Sequence, residues 1–135
     1  MSIDFRHGRH CVFNFNIHLV FVTKYRKKIF TKQHLDFLSD VFKKICSDFE
    51  CRLVEFNGEF DHVHLLVNFP PKIAISKLVN SLKGVSSRVL KTNFPELHQF
   101  YWKGKLWTPS YFGVSCGGVT LDVIKHYIEN QNSPD

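Results

Sequence analysis

Residues 61–69 read DHVHLLVNF, and side chains of different character alternate along this stretch as they do along a strand at a sheet surface. In an extended chain, alternate side chains point to the same face of the sheet. One face then carries Asp61, Val63, Leu65, Val67 and Phe69, which are mostly apolar, and the other carries His62, His64, Leu66 and Asn68. The stretch therefore predicts a strand that buries one face and presents two neighbouring imidazoles on the other.

The hydrophobic pattern on both sides of this strand predicts the element order β-α-β-β-α-β. Strands are expected over 11–23, 51–57, 61–69 and 105–116, with a turn at Asn57-Gly58 and a break in the last strand at Pro109. Helices are expected from a Thr31 cap to about residue 49 and over roughly 75–92. This order predicts an α+β, ferredoxin-like fold, in which two helices cover one face of a four-stranded antiparallel sheet.

A further helix is predicted at the C-terminal end of the chain, beyond this ferredoxin-like body. It would begin at a Thr120 cap, after Gly117-Gly118, and end near Asn132. We therefore expect a single domain over 1–135, with a body at 1–116, a hinge at 117–118 and a helix at 119–132.

Composition and charge restrict the class of protein. A formal net charge of +6 favours a polyanionic partner, nucleic acid before an acidic membrane surface. The four cysteines form no CxxC pair, so we expect small core residues in a reducing compartment rather than a zinc or disulfide framework. We find no signal peptide and no apolar run of membrane-spanning length, and we expect a cytoplasmic protein without a membrane partner.

Basic residues are concentrated in two places that would suit phosphate contacts. The first is the turn after the opening strand, which contains Lys24, Tyr25, Arg26, Lys27 and Lys28. The second is the side of the second helix expected to be exposed, which contains Lys83, Arg88 and Lys91. Runs of charge are often only solvated faces, but the net charge makes phosphate binding the better explanation. Trp102, Trp107 and Tyr111 are candidates for base stacking, although Trp107 suits the core equally well.

The histidine pair is a candidate metal or oxyanion site, because two imidazoles on one strand face can hold one ion together. Two ligands leave such a site incomplete. Tyr127 and Gln131 are four residues apart and so share one face of the last helix. Two interpretations of them stay open: a tyrosine at the edge of the core with a solvated glutamine, or a nucleophile with a third ligand. In the second case, attack on a phosphodiester would leave a 5′-phosphotyrosine and release a 3′-hydroxyl.

Five blocks of the sequence, taken in order, resemble the single-tyrosine HUH transposases, the small transposase A proteins of short bacterial and archaeal insertion sequences. The blocks are RHGRHCVFNFNIHLVFVTKYRK, DHVHLLVNFPP, SKLVNSLKGVSSRVLK, LWTPSYF and YIENQ. HUH denotes His-hydrophobic-His, here His62-Val63-His64. The resemblance implies that His62, His64 and Gln131 bind Mg²⁺ or Mn²⁺ and that Tyr127 is the catalytic nucleophile. The implied activity is cleavage and rejoining of single-stranded DNA at insertion-sequence ends.

The resemblance also implies partners. Members bind hairpins near the element ends, and the basic turn and second helix are the natural contacts. Members are homodimers whose tyrosine helices reach the partner's histidines, so Gly117-Gly118 would be the hinge between body and helix. Phe60 departs from the family pattern, since many relatives carry proline there.

Three functions other than insertion-sequence transposition are compatible with the sequence. One is a domesticated relative that processes palindromic DNA, and another is a replication initiator or relaxase, which usually has further domains. The third is a non-catalytic nucleic-acid-binding module, whose open sheet face would normally display aromatic side chains. The face expected here instead offers Asn14, Asn16, His18 and Asn68, which favours a metal site.

Overall fold

The computed structural model describes residues 5–101, 104–115 and 128–130. These ranges contain the strands and helices β1 (Arg6–His7), β2 (Val12–Phe13), β3 (Phe15–Val22), α1 (Lys32–Asp48), β4 (Arg52–Gly58), β5 (His62–Phe69), α2 (Ile75–Asn93) and β6 (Phe112–Ser115), and residues 128–130 are also helical. Short 3₁₀ helices cover Lys24–Arg26 and Pro95–Phe100. None of the helices in these ranges is both long and apolar enough to cross a membrane.

The main sheet has the strand order β4-β5-β3-β6, and every neighbouring pair is antiparallel. Strand β5, which contains the two histidines, is therefore an interior strand with β3 on one side and β4 on the other. Strands β1 and β2 form a separate two-stranded ribbon. The predicted α+β fold with a ferredoxin-like antiparallel sheet is confirmed.

Both helices pack on one face of the sheet, where they form the main core. Helix α1 begins with the predicted cap: the Thr31 hydroxyl accepts from the His34 backbone N–H, and the Thr31 N–H donates to the imidazole Nδ1 of His34. The core joins apolar residues of the helices and strands; it includes Leu19, Phe21, Val63, Leu65, Val67, Leu38, Phe42, Leu78 and Leu82. Burial of these side chains is the main stabilising contribution to the fold.

Two strand boundaries differ from the sequence prediction. The first long strand begins at Phe15 rather than at residue 11, because residues 12–13 pair with β1 instead of the main sheet. The turn predicted at Asn57-Gly58 is wrong, since both residues lie in β4 and the chain turns at 59–61. Gly58 serves close packing instead: a Cβ there would collide with the side chain of Leu35 in α1.

The last predicted strand is broken, as the proline at position 109 indicated. Its regular part is β6, while Trp107 makes an isolated bridge to Thr23 on the other side of the break. Of the tyrosine helix predicted over 119–132, the structure describes residues 128–130, and these are helical. The hinge at 117–118, Thr120, Tyr127 and Gln131 lie outside the described residues, and the predicted division of the chain stays a prediction.

The cysteine prediction is confirmed for two residues and wrong for a third. Cys46 and Cys51 are buried, and burial raises the pKa of their thiols to about 12 and about 11 respectively. Cys11 is exposed, because it lies in the short connection between β1 and β2 rather than in the core. Cys116 lies outside the described residues.

Candidate functional site

The histidine pair stands on the face of the sheet that the two helices leave uncovered. His62 is paired across the sheet with Val22, and His64 with Val20. Their side chains point to the same side, with ring centroids 5.0 Å apart and an interplanar angle of 76°. The alternation read from residues 61–69 is therefore seen in the structure, with Val63, Leu65 and Val67 buried beneath the helices.

A cavity of about 630 Å³ opens over the two imidazoles. His18, Arg26 and Glu129 contribute to its wall together with the end of β4. Ile128 also lines it and packs with Val20 and Val22 in a small second core. The described part of the C-terminal helix therefore lies on the open face beside the histidines. Tyr127 and Gln131 adjoin this part in the sequence but lie outside the described residues.

His64 is neutral at physiological pH, which is the form of imidazole that binds metals. Burial is the main cause, and the neighbouring His62 and His18 add to it; together they lower the pKa of His64 to about 4. His18 is in β3, two residues from Val20, the strand partner of His64. Three imidazoles therefore occupy adjoining positions on this face.

Asp61 links the histidine strand to the basic turn. Its Oδ1 accepts a hydrogen bond from Nδ1 of His62 at 2.8 Å, and its Oδ2 accepts from Nε of Arg26 at 3.0 Å. Burial alone would raise the pKa of Asp61, but the hydrogen bonds from His62 and Arg26 outweigh burial and lower it. The sequence pattern placed Asp61 on the apolar face without a role. A charged residue at a buried position requires a partner. An aspartate on the apolar face of the predicted strand was therefore the feature of the sequence that indicated this contact.

The donor set fits part of a metal site. Two imidazoles on one face offer two nitrogen ligands, but 5–101, 104–115 and 128–130 contain no cluster of three His, Cys, Asp or Glu side chains able to hold an ion. The predicted third ligand, Gln131, is of none of these types and lies outside those ranges. The ligand set and its metal therefore stay predictions.

The basic turn differs from a simple phosphate-binding run. Lys28 is exposed, and Lys24, Tyr25 and Lys27 are half-buried, with Nζ of Lys24 5.3 Å from the ring centroid of Tyr25. Arg26 instead turns inward to Asp61. Contact of these residues with DNA stays a prediction.

Lys83 does not lie on an exposed helix side, as had been expected. It is half-buried, and its Nζ donates to the backbone carbonyls of Thr108, Pro109 and Ser110 at 2.6, 3.2 and 3.1 Å. Burial, followed by the charge of Lys105, lowers the pKa of Lys83 to about 8. The reason for the error is that the loop before β6 crosses this part of α2. Lys83 therefore anchors that loop.

A second concavity, of about 470 Å³, lies along α2 beside Lys83. Arg88 and Lys105 are exposed at its wall, and the Nζ of Lys91 lies 5.7 Å from the ring centroid of Tyr101. Lys105 was missed because it lies outside the basic runs of the sequence. Trp107 is buried and donates to the Ser86 hydroxyl at 3.0 Å, so it belongs to the core and not to a stacking surface. Tyr111 is exposed, and Trp102 lies outside the described residues.

Comparison with known proteins places this geometry in a family. A family model described as "Transposase IS200 like" matches residues 11–131, which include the histidine strand, α2 and the segment from 128 to 130. The chain belongs to the IS200-like transposase family. The resemblance inferred from the sequence is thereby confirmed. Membership implies an enzyme that cleaves DNA and transfers strands.

Individual relatives agree with this assignment. The chain is 31% identical to the ISDra2 transposase TnpA of Deinococcus radiodurans over 135 residues, which is 100% of this chain and 96% of the relative. It is 32% identical to the transposase for insertion sequence element IS200 of Salmonella typhimurium over 123 residues, which is 89% of this chain and 81% of the relative.

Solved structures share the fold. The crystal structure of a candidate transposase from Deinococcus radiodurans R1 superposes with a TM-score of 0.88 at 36% identity, covering 95% of this chain and 98% of the other. A REP-associated tyrosine transposase bound to a REP hairpin superposes with a TM-score of 0.54 at 14% identity, covering 96% of this chain and 69% of the other. The second likeness shows the fold alone.

Proposed function

We propose that the protein transposes an insertion sequence by cleaving and rejoining single-stranded DNA at the element's ends. Tyr127 is the nucleophile and forms a 5′-phosphotyrosine, while His62, His64 and Gln131 bind Mg²⁺ or Mn²⁺. The observation that carries this proposal is the position of Ile128. It packs with Val20 and Val22, the strand partners of His64 and His62.

Helical geometry supports the assignment of the two residues that flank this segment. Each residue of an α-helix is rotated by about 100° from the one before it, so positions 127 and 131 fall on the same side of position 128. Side chains at these two positions would therefore act at one site together, as the proposal requires.

The chain's own groups divide the chemistry among them. His62, His64 and Gln131 would hold a divalent ion, which would polarise the scissile phosphodiester and favour a phenolate nearby. His64 offers a neutral nitrogen at physiological pH, as a ligand requires. The Tyr127 oxygen attacks phosphorus, the P–O bond to the upstream strand breaks, and a 3′-hydroxyl leaves. The phosphotyrosine is again a phosphodiester, so a second 3′-hydroxyl reverses the step and joins new strands without ATP.

Another tyrosine of the chain is poorly suited to this reaction. Tyr101 donates its hydroxyl to the carbonyl of Ser87 at 2.8 Å, and burial raises its pKa to about 12. Tyr111 is exposed, but it immediately precedes β6, whereas the histidines lie on β5, two strands away in the sheet. These observations disfavour Tyr101 and Tyr111 as the nucleophile.

Hairpin recognition is assigned to the helix side of the molecule. Arg88 and Lys105 are exposed along the concavity beside α2, and Lys91, which also lines it, has its Nζ 5.7 Å from the ring centroid of Tyr101. A protein of the same fold is bound to a REP hairpin, so the fold can present a surface to such DNA. Lys24, Lys27 and Lys28 are further candidates for contacts with the strand. Recognition on one side and cleavage on the other suits cutting at a distance from the hairpin.

The proposal includes a homodimer. Exchange of the tyrosine helices about Gly117-Gly118 would create two composite sites, each with the histidines of one chain and the tyrosine of the other. Excision requires two cleavages, and a dimer supplies one tyrosine for each. The chain aligns with 96% and 81% of the length of two insertion-sequence transposases, which favours this function over palindrome processing.

The test is a covalent-adduct assay with a 3′-labelled single-stranded oligonucleotide that contains a candidate element end and its hairpin. Incubation with Mg²⁺ or Mn²⁺ should transfer the label to a protein–DNA species on a denaturing gel. EDTA, His64→Ala and Tyr127→Phe should each abolish the species, while the matched control Tyr111→Phe should retain it. An adduct that survives in Tyr127→Phe would refute the nucleophile, and hairpin binding without any adduct would refute the enzyme.

A further inference from the structure

The contacts around Asp61 carry an inference about how the histidine site is held. Asp61 is 5% exposed, yet both carboxylate oxygens are occupied by named donors. A carboxylate only accepts hydrogen bonds, so the 2.8 Å contact requires the proton of His62 to be on Nδ1. The lone pair of this imidazole is then on Nε2. One contact therefore selects both the tautomer and the orientation of the ring.

The carboxylate is itself held from several directions. Nε of Arg26 compensates its charge at 3.0 Å, and the exposed fractions of the two side chains are 21% for Arg26 and 7% for Asp61. The backbone of Asp61 is held as well, because its carbonyl accepts from the backbone N–H of Thr23 at 2.9 Å. A buried carboxylate requires such compensation, since an unpaired charge in the interior is costly.

The turn that presents Arg26 has an unusual backbone. Tyr25 and Arg26 have φ angles of 60° and 51°. This left-handed backbone conformation is seldom adopted by residues other than glycine. The turn is closed by the N–H of Arg26, which donates to the carbonyl of Thr23 at 2.9 Å, and by the Thr23 hydroxyl, which donates to the carbonyl of Lys27 at 2.8 Å. Strained conformations of this kind persist where surrounding contacts enforce them. Here the result is a guanidinium directed inward.

We propose that Asp61 and Arg26 are positioning residues for His62: Asp61 fixes the Nδ1-protonated tautomer, and Arg26 holds the carboxylate that does so. This inference rests on the proposed function, in which His62 is a metal ligand through Nε2. It separates Arg26 from the other basic residues of its turn, because its contact partner is a carboxylate within the protein. Loss of a partner that orients a ligand typically weakens metal binding about 10- to 100-fold.

The sharpest variant is Asp61→Asn, which preserves shape. Its amide oxygen would remain with Arg26 and its NH₂ would face His62, so Nδ1 would have to accept and the proton would move to Nε2. Long-range ¹H–¹⁵N correlation spectra of the metal-free protein report this tautomer directly, with the His62 signals assigned by their loss in His62→Ala. We expect an Nδ1–H tautomer in the native protein and an Nε2–H tautomer in the variant. An unchanged tautomer would overturn the inference.

The matched comparison for the arginine is Arg26→Gln against Lys28→Gln, since each removes one positive charge from the same turn. Mn²⁺ binding, followed by electron paramagnetic resonance without DNA, should weaken about 10- to 100-fold in Arg26→Gln and Asp61→Asn. It should be unchanged in Lys28→Gln, and Arg26→Lys should recover part of the loss. The positioning role of Arg26 would be overturned if Arg26→Gln and Lys28→Gln had equal affinity for Mn²⁺ and lost DNA binding equally.

Failure of the inference can be told apart from failure of the proposed function. Circular dichroism and thermal melting first establish that each variant is folded. A native protein that forms the tyrosine adduct, with a tautomer insensitive to Asp61→Asn, refutes the positioning role alone. A native protein that forms no adduct, with a tautomer that does respond, refutes transposition and retains the positioning network.

Discussion

The two faces of β5 differ sharply although they belong to the same eight residues. On one face Val63, Leu65 and Val67 are at most 1% exposed and pack in the main core. On the other, His62 and His64 line a water-accessible cavity, and Asn68 is buried in a polar network. The comparison shows that alternate positions of one strand either pack in the core or face the cavity, where we propose that the chemistry takes place. Substitutions at neighbouring residues should therefore have opposite consequences.

The largest contrast is expected between His64→Ala and Leu65→Ala. Removal of His64 should reduce adduct formation by about 100-fold or more and change the unfolding free energy by less than about 1 kcal/mol. Leu65→Ala should destabilise the fold by about 2–5 kcal/mol, because it removes a buried side chain and leaves a cavity. Urea unfolding and the adduct assay measure the two effects. If Leu65→Ala formed no adduct at a temperature where it is folded, the buried face of β5 would contribute to activity as well as to stability, against this prediction.

Asn68 tests whether the polar face also stabilises the fold. It is 5% exposed, accepts from Arg6 at 2.9 Å, and donates to Asn14 and Asn16 at 3.2 and 3.1 Å. Asn68→Ala leaves these groups unsatisfied and should cost about 1–3 kcal/mol in urea unfolding. Asn57→Ala is the matched control, because that amide is exposed, and should cost less than about 0.5 kcal/mol. Equal effects would show that the network contributes nothing beyond ordinary surface contacts.

Lys83 extends the comparison to the helix side and gives a pH dependence. Its pKa is lowered to about 8 from 10.5, so between pH 8 and 10.5 the unfolded chain binds more protons than the folded one. Stability contributed by this group should rise with pH in that window, by about 1–2 kcal/mol after allowance for solvent screening. Urea unfolding at pH 7.5 and 9.5 should show the rise in the native protein and in Lys43→Met, and not in Lys83→Met. A rise in all three proteins would contradict the assignment to Lys83.

The smallest effects are expected for the exposed basic residues beside α2. Arg88→Gln and Lys105→Gln should each weaken hairpin binding by about 3- to 10-fold and reduce the dependence of affinity on salt by about one counterion. Fluorescence anisotropy at several salt concentrations measures both quantities. Lys43→Gln, on the exposed side of α1, is the control. Cleavage of a pre-bound strand should change little, and a large cleavage defect would show that this side is not confined to recognition.

Local patterns predicted much of the fold and part of the site. Alternation identified β5 and its two histidines, and Thr31 was identified as a cap because capping depends on residues three positions apart. Contacts across the sheet were not accessible in this way. Arg26 and Asp61 are 35 positions apart, and Lys83 meets carbonyls 25 to 27 positions away. Such pairings depend on strand register and on the course of loops, so the sequence did not reveal that Arg26 and Lys83 contact groups of the protein itself. Their predicted contacts with DNA stay predictions.

Glycine at 58 illustrates the same limit. Asn-Gly is the strongest short turn signal in a sequence, yet here the pair continues a strand. The small residue is required by Leu35, on a helix that packs against this end of β4. Tertiary packing overrides local preference at this position. Tyr127 and Gln131 remain predictions that rest on family resemblance and helical spacing.

The interior position of β5 in the sheet would affect the free energy of ligand binding at the histidines. Its backbone is hydrogen-bonded on both edges, to β3 and to β4, so the amides of His62 and His64 should be among the slowest to exchange with deuterium. Side chains on such a preorganised strand lose little conformational entropy when they bind a ligand. The ordering cost of the site then falls mainly on whatever the last helix contributes. If the proposed exchange of helices occurs, it and product release would leave the histidine half of the site in place.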